Sequence, residues 1–407
     1  MNVTANMIES IGFARTTLNL GLVLCVVCFV SGCADEEEVQ ARHGSITEIV
    51  IPAPSLEGNI LGDPVEQRLS IYLPPGYDSS PDERYPVLYL LHGFTGTNRT
   101  WMIDPEHPDN GPAEDPRDGA YQRAGLLSRE RLDSMIAAKA VPELIIVAPN
   151  GRNAYKHSFY VNSPVTGNWE DYVVEDVVGY VDENYRTLPT ASSRGIAGHS
   201  GGANGAMFIA MRNADTFGSV YAMAPCCSGQ NFSLPRLQNL DTGQPTPFWQ
   251  EVFSRVNDLS ATDELPNTFT DRLQDFYVNA ELAASAAFAP NPDRAPLYAD
   301  YLFEMHNGDL VLNEDALERR LALSIYRLVE KHESDLRSLR GILIDFGEHE
   351  MTDLASGNSE LSKALAQRGI PFVFEVYSGG DHGNMIAERL ESRGLRFFAK
   401  SLQFSAD

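Results

Sequence analysis

The segment GIAGHSGGANGAM, residues 195–207, holds a single serine, Ser200, among Gly198, Gly201 and Gly202. A serine hydroxyl attacks a carbonyl only when a base takes its proton, a third group holds the base, and donors receive the charge that develops on oxygen. The G-x-S-x-G spacing meets the steric part of that requirement. A sharp strand-to-helix turn exposes the hydroxyl, and the turn closes only where the flanking residues lack side chains. RGIA reads as a strand before the serine and ANGAMFIAM as a helix after it, so the helix N-terminus, which favours negative charge, falls at Ser200. Taken alone, the segment also fits a tight turn with no chemistry.

The remaining parts occur elsewhere in the chain. His382, in GGDHGNM, follows the last strand candidate and suits the base. FGEHEMTDL offers Glu350 and Asp353 as the acid that would hold the imidazole, and both stay open on spacing. His349, Glu350 and Asp353 as a metal site match no strong ligand spacing. YLLHGFTG places a His-Gly turn at His92 and Gly93, so the backbone N–H groups of Phe94 and Gly201 are assigned to the oxyanion. Trp101, Asn150, Tyr160, Trp169 and Asp171 fall in loops. Trp101, Tyr160 and Trp169 are carried as candidate substrate contacts beside the alternative that they close loops over the core. Acyl transfer by this set requires no metal or organic cofactor.

Such groups meet only if the fold brings distant loops to one edge. RLSIYLPP, YPVLYLLHG, ELIIVAPNG, RGIAGHS, SVYAMAP, GILIDFG and FVFEVYSGG read as strands. Helical stretches interleave them at GLLSRERLDSMIAAKA, WEDYVVEDVVGYVDENYR, GANGAMFIAMRNA and ERLESRGLRFFAKSL. Apolar strands alternating with helices predict an α/β fold with a mostly parallel sheet covered on both faces. Between 228 and 339 the alternation stops, and that stretch reads as a helical cap-like insertion over the sheet edge.

The first thirty-odd residues read as an export signal. Arg15 precedes the apolar run LGLVLCVVCFV, which is shorter than the ~20 residues that span a bilayer. The run ends in VSGC, which resembles the bacterial lipobox. The expected division is a signal at 1–32, lipidation at Cys33, an acidic tether at 33–45 and a catalytic domain at 46–407. Contact with a membrane is then through the lipid alone, and Ala34 after Cys33 fits sorting to the outer membrane of a Gram-negative envelope. Cys25 and Cys28 leave with the signal. Cys226 and Cys227 are adjacent, too close for ordinary bridge geometry, and read as packing residues or residues behind the site. A net charge of −25 excludes nucleic acid and anionic surfaces as partners, because phosphate binding needs clustered Lys and Arg.

The chain order serine, acid, histidine is that of α/β-hydrolases. Together LEGNILGD, IYLPPGYD, YPVLYLLHGFTG with Trp101 after it, VAPNG, GHSGG and GGDHG resemble the esterase D-like family of that fold, from about Ile46 to the C-terminus. The resemblance implies Ser200 as nucleophile, His382 as base and, three residues past the strand-ending Gly347, Glu350 as acid, where the family more often has Asp. It implies a serine carboxylic-ester hydrolase acting on small-molecule or polysaccharide-linked esters. An acyltransferase of the mycolyltransferase kind, a peptidase and an inactive binding protein are the other readings. When the chain is expressed in a bacterium, labelled palmitate is expected to enter the wild type and not C33S; equal labelling of both would remove the lipid anchor.

Overall fold

In the computed structural model, residues 43–104, 106, 125–226, 238–239, 242–260 and 273–405 are described. The stretch expected to be an export signal, Cys33 and Cys227 lie outside them. No helix among the described residues is long and apolar enough to cross a membrane.

VLYLL (Val87–Leu91, β3) and IIVAP (Ile145–Pro149, β4) are buried at every position. Runs with no polar alternation need cover on both faces of a sheet, and the rest of the architecture provides it. One eight-stranded sheet is built from β1 (Ser45–Pro52), β2 (Glu66–Leu73), β3, β4, β7 (Arg194–His199), β8 (Ser219–Met223), β11 (Gly341–Gly347) and β12 (Val373–Tyr377), in the order β1-β2-β4-β3-β7-β8-β11-β12. β2 is antiparallel to both neighbours and the other pairings are parallel. Two short hairpins, β5–β6 (Asn162–Ser163 with Gly167–Asn168) and β9–β10 (Phe303–His306 with Asp309–Leu312), stand apart from the sheet.

Parallel strands end at the same edge, so the loops after β3, β7, β11 and β12 emerge side by side. Leu91 is level with Gly198 across β3 and β7, and Gly347 is level with Tyr377 across β11 and β12. That edge is where an open α/β sheet places its ligands.

The stretch between β8 and β11 differs from the cap-like insertion expected for it. It holds the helices Pro247–Ser260, Leu273–Phe288, Glu314–Ala322, Ile325–Lys331 and Glu333–Ser338 as well as the β9–β10 hairpin. Ile325, Leu328, Val329 and Leu336 are buried in the same core as Ile342 and Ile344 of β11 and Leu361 of the helix Thr352–Gln367. Its last two helices therefore cover the sheet and are not part of a cap. The helix Leu273–Phe288 joins the same core through Leu282, Ala286 and Ala287, and Phe253, Leu302, Phe303 and Leu310 form a small cluster of their own.

Glu48 of β1 ties the antiparallel edge to the loop after β3. It accepts from Arg68 Nη1 at 2.7 Å, Arg99 Nε at 2.7 Å and Asn98 Nδ2 at 2.9 Å. Burial opposes its ionisation, but the hydrogen bonds from Arg99, Arg68 and Asn98 outweigh it and bring the carboxyl from 4.5 to about 2. A depressed carboxyl stabilises the fold above its unfolded value and loses that contribution as pH falls through the folded one. E48Q is expected to lower the unfolding midpoint by about 2 °C at pH 7. The gap to wild type should close as pH drops from 4.5 toward 2; calorimetry that finds a gap independent of pH would contradict this.

Candidate active site

Ser200 follows β7 directly and caps the helix Gly201–Arg212. Its φ of 57° and ψ of −117° are strained for a residue with a side chain, at about 1–3 kcal/mol. Hydrogen bonds hold it there: its N–H donates to Met223 C=O at 3.0 Å, and its C=O accepts from Asn204 N–H at 3.0 Å and Cys226 N–H at 3.3 Å. The flanking glycines are steric requirements. A Cβ on Gly198 would stand 2.3 Å from the Gly202 backbone, and one on Gly202 would stand 2.3 Å from the Leu91 carbonyl oxygen. A Cβ on Gly201 would meet the His157 ring at 2.7 Å.

His382 reaches over the same edge from the loop after β12. Its Nε2 lies 2.9 Å from Ser200 Oγ and its Nδ1 lies 3.0 Å from Glu350 Oε2. Glu350 is buried, and its other oxygen accepts from Met351 N–H at 2.8 Å. An Nδ1–H donated to that carboxylate leaves Nε2 free to take the serine proton. Two glycines let the acid and base loops touch. A Cβ on Gly347 would lie 2.2 Å from Gly380 O, and His349 N–H donates to that oxygen at 2.7 Å. Of the acid candidates, Glu350 thus meets the imidazole. Asp353 stands in the first turn of the helix Thr352–Gln367 and lines the cleft. His349 is exposed, and among the described residues no group of three His, Cys, Asp or Glu could hold a metal ion.

A cavity of about 210 Å³ opens beside Ser200, Gly201 and His382. Its walls are Phe94, Phe159, Trp249, Phe276, Tyr277 and Leu354, with the buried Glu281–Arg320 ion pair also lining it. A smaller cleft of about 150 Å³, lined by Gly93, Thr100, Trp101, Leu126 and Ile386, shares Phe94, Ser200, Phe276 and His382 with it. Trp101 therefore borders the site, although its ring is fully buried.

Tyr160 and Trp169 are corrected as substrate contacts. Both are fully buried. Trp169 donates its Nε1–H to Thr166 C=O at 2.7 Å and packs edge-on against Tyr172 in the core. Tyr160 lies behind the loop after β3, its hydroxyl accepting from His92 N–H at 3.1 Å. Asn150 bonds Gln67 and Asp171 bonds Asn162, so these two also serve structure.

His157 and His199 carry geometry that the sequence reading did not assign. His199 donates Nε2–H to the His382 carbonyl at 2.7 Å, fixing the base loop from the elbow itself. Its place inside GHSGG was the available signal. His157, fully buried, is held neutral: burial above all brings it from 6.5 to about 4.

The sequence profile of the family named "Putative esterase" matches residues 64–385, which include the loops carrying Ser200, Glu350 and His382. The chain belongs to this esterase family. It is 30% identical over 258 residues to an S-formylglutathione hydrolase of Arabidopsis thaliana, a match covering 59% of this chain and 79% of that protein. It is 28% identical over 181 residues to an endo-1,4-beta-xylanase/feruloyl esterase of Xylanibacter ruminicola, covering 44% of this chain and 21% of that protein. A solved ferulic acid esterase aligns with a TM-score of 0.54 at 20% identity, over 88% of this chain and 99% of that one, a likeness of fold. The esterase is thus an α/β-hydrolase and a serine ester hydrolase.

In this esterase, E350Q is expected to lower kcat by about 10²–10⁴-fold, because the imidazole loses the carboxylate that fixes its tautomer. D353N should stay within about threefold of wild type, since no step of that chemistry uses it. The reverse ranking in steady-state kinetics would reassign the acid.

Proposed function

We propose that the protein hydrolyses neutral esters of bulky aromatic or apolar acids, linked to carbohydrate or other extracellular alcohols, through an acyl-enzyme on Ser200. The observation that carries this reading is an aromatic-walled cavity opening directly beside the Ser200–His382–Glu350 arrangement.

His382 Nε2 takes the Ser200 proton as Oγ attacks the ester carbonyl, and the amides of Phe94 and Gly201 hold the resulting oxyanion. His382 returns the proton to the departing alcohol. Water, deprotonated by the same nitrogen, then releases the acid and restores Ser200. Glu350 holds the ring through Nδ1–H and stabilises the imidazolium between these steps.

Size and charge favour an aromatic acyl group. A formyl or acetyl group would leave most of about 210 Å³ unfilled, whereas a phenylpropenoyl group covers the apolar walls. A net charge of −25 repels an anionic thioester such as S-formylglutathione at long range and leaves a neutral sugar ester unaffected. Location follows the same reading, with VSGC supplying a lipid-bearing Cys33 and ADEEEVQ a solvated tether at the cell envelope.

S200A is expected to abolish turnover of every ester tested. Against a panel of acetyl, feruloyl and S-formyl substrates, kcat/KM should favour the feruloyl ester by about tenfold or more, and W249A should erase most of that preference. A panel in which the formyl thioester leads would overturn the substrate assignment while leaving the nucleophile in place.

A further inference from the structure

The loop that would supply the Phe94 amide is held by a chain of directed hydrogen bonds behind the cleft. Gly151 N–H lies 2.8 Å from His92 Nε2, and an amide can only donate, so that nitrogen carries no proton. In the neutral ring the proton sits on Nδ1, 2.9 Å from the Gly93 carbonyl oxygen, to which it donates. The ring is neutral because burial, first, and then the nearby His157 hold it well below its usual value. The Gly93 carbonyl also accepts from Gly96 N–H at 3.0 Å.

The backbone of His92 is fixed as firmly on both sides. His92 C=O accepts from His157 Nε2–H at 3.1 Å, and His92 N–H donates to Tyr160 Oη at 3.1 Å. His157 has a defined tautomer too, because Phe159 N–H donates to its Nδ1 at 3.0 Å. A Cβ on Gly93 would lie 3.3 Å from Ser200 Cβ, so the peptides on either side of Gly93 border the nucleophile.

A trans peptide points its N–H opposite to its C=O. We infer that His92 is a positioning residue for the reaction: by holding the Gly93 carbonyl with Nδ1–H, it turns the Phe94 N–H to the opposite side, toward the oxyanion. The inference rests on the reading of Phe94 as an oxyanion donor. Gly151 then acts at one remove, since its amide selects the tautomer that makes His92 a donor at Nδ1.

The two halves of this device separate by isosteric substitution in the full-length chain. H92N keeps a donor near the Nδ1 position and loses the acceptor at Nε2. H92Q keeps an acceptor near Nε2 for Gly151 and loses the donor. Replacing the 93–94 amide by a backbone ester removes the Phe94 N–H itself. The ester and H92Q are each expected to lower kcat by about 10²-fold, with KM within about twofold. H92N should stay within about fivefold of wild type, and H92Q combined with the ester should add less than about threefold.

Retention of more than about a third of wild-type kcat by folded H92Q would overturn the role of His92 while the ester result stands. An ester variant at full rate would overturn the Phe94 reading and this inference with it. If H92Q does not fold, H92N still decides: a loss of more than about tenfold there, with native circular dichroism, rejects the inference.

Discussion

A Cβ on Gly202 would stand 2.3 Å from the Leu91 carbonyl oxygen and 2.5 Å from that of His92. The first turn of the elbow helix therefore lies against the end of β3 at a separation that only glycine permits. Everything at the catalytic edge depends on that approach. It puts Ser200 and the loop after β3 on one rigid unit, so their relative position is set by sheet register and not by two independent loops. It also over-determines Ser200, whose strained backbone would otherwise relax.

The same device recurs across the site. Gly347 and Gly380 meet without side chains between them, so the acid and base loops leave β11 and β12 in contact. Backbone bonds then close the seam, with Glu348 N–H donating to Tyr377 C=O at 2.8 Å and His349 N–H to Gly380 C=O. His199 completes the circuit by bonding the His382 carbonyl from the elbow. Three loops separated by up to 183 positions in the chain are thus referred to one another through short polar contacts. Near-attack geometry needs this kind of placement, because small displacements of a base cost large factors in rate.

Much of this was legible in the sequence where chemistry and backbone geometry coincide. Continuous apolar runs such as VLYLL and IIVAP announce strands buried on both faces, and the order of Ser200, Glu350 and His382 follows the strands that carry them. The aromatic residues were not legible in the same way. Trp101, Tyr160 and Trp169 occupy similar loops in the sequence, yet the first borders a cleft, the second braces His92 and the third is core. Which side of a loop faces solvent depends on partners far away in the chain, and no local period records it. The cleft walls Trp249, Phe276 and Tyr277 come from helices whose pattern reports an apolar face without saying what covers it. His157 escaped notice because its role depends on two backbone acceptor and donor groups, which have no residue signature.

The electrostatics explain why so much structure is spent on orienting amides. Among the described residues, Arg320 is the one arginine or lysine lining the larger cleft, and it is paired with Glu281, with Nη1 donating at 3.1 Å. His92 and His157 are held neutral by burial. Among the described cleft residues, the cation that faces the developing oxyanion is then the His382 imidazolium, with the Glu350 carboxylate on its far side. On the proposed mechanism the rest of the stabilisation falls to dipoles: the amides of the elbow turn, the helix end behind them and the loop after β3. Dipoles act strongly only when they are aligned in advance in a dry site, since turning them during the reaction would cost what they return. A glycine-tight elbow and a loop clamped by histidines of fixed tautomer are two expressions of that one requirement.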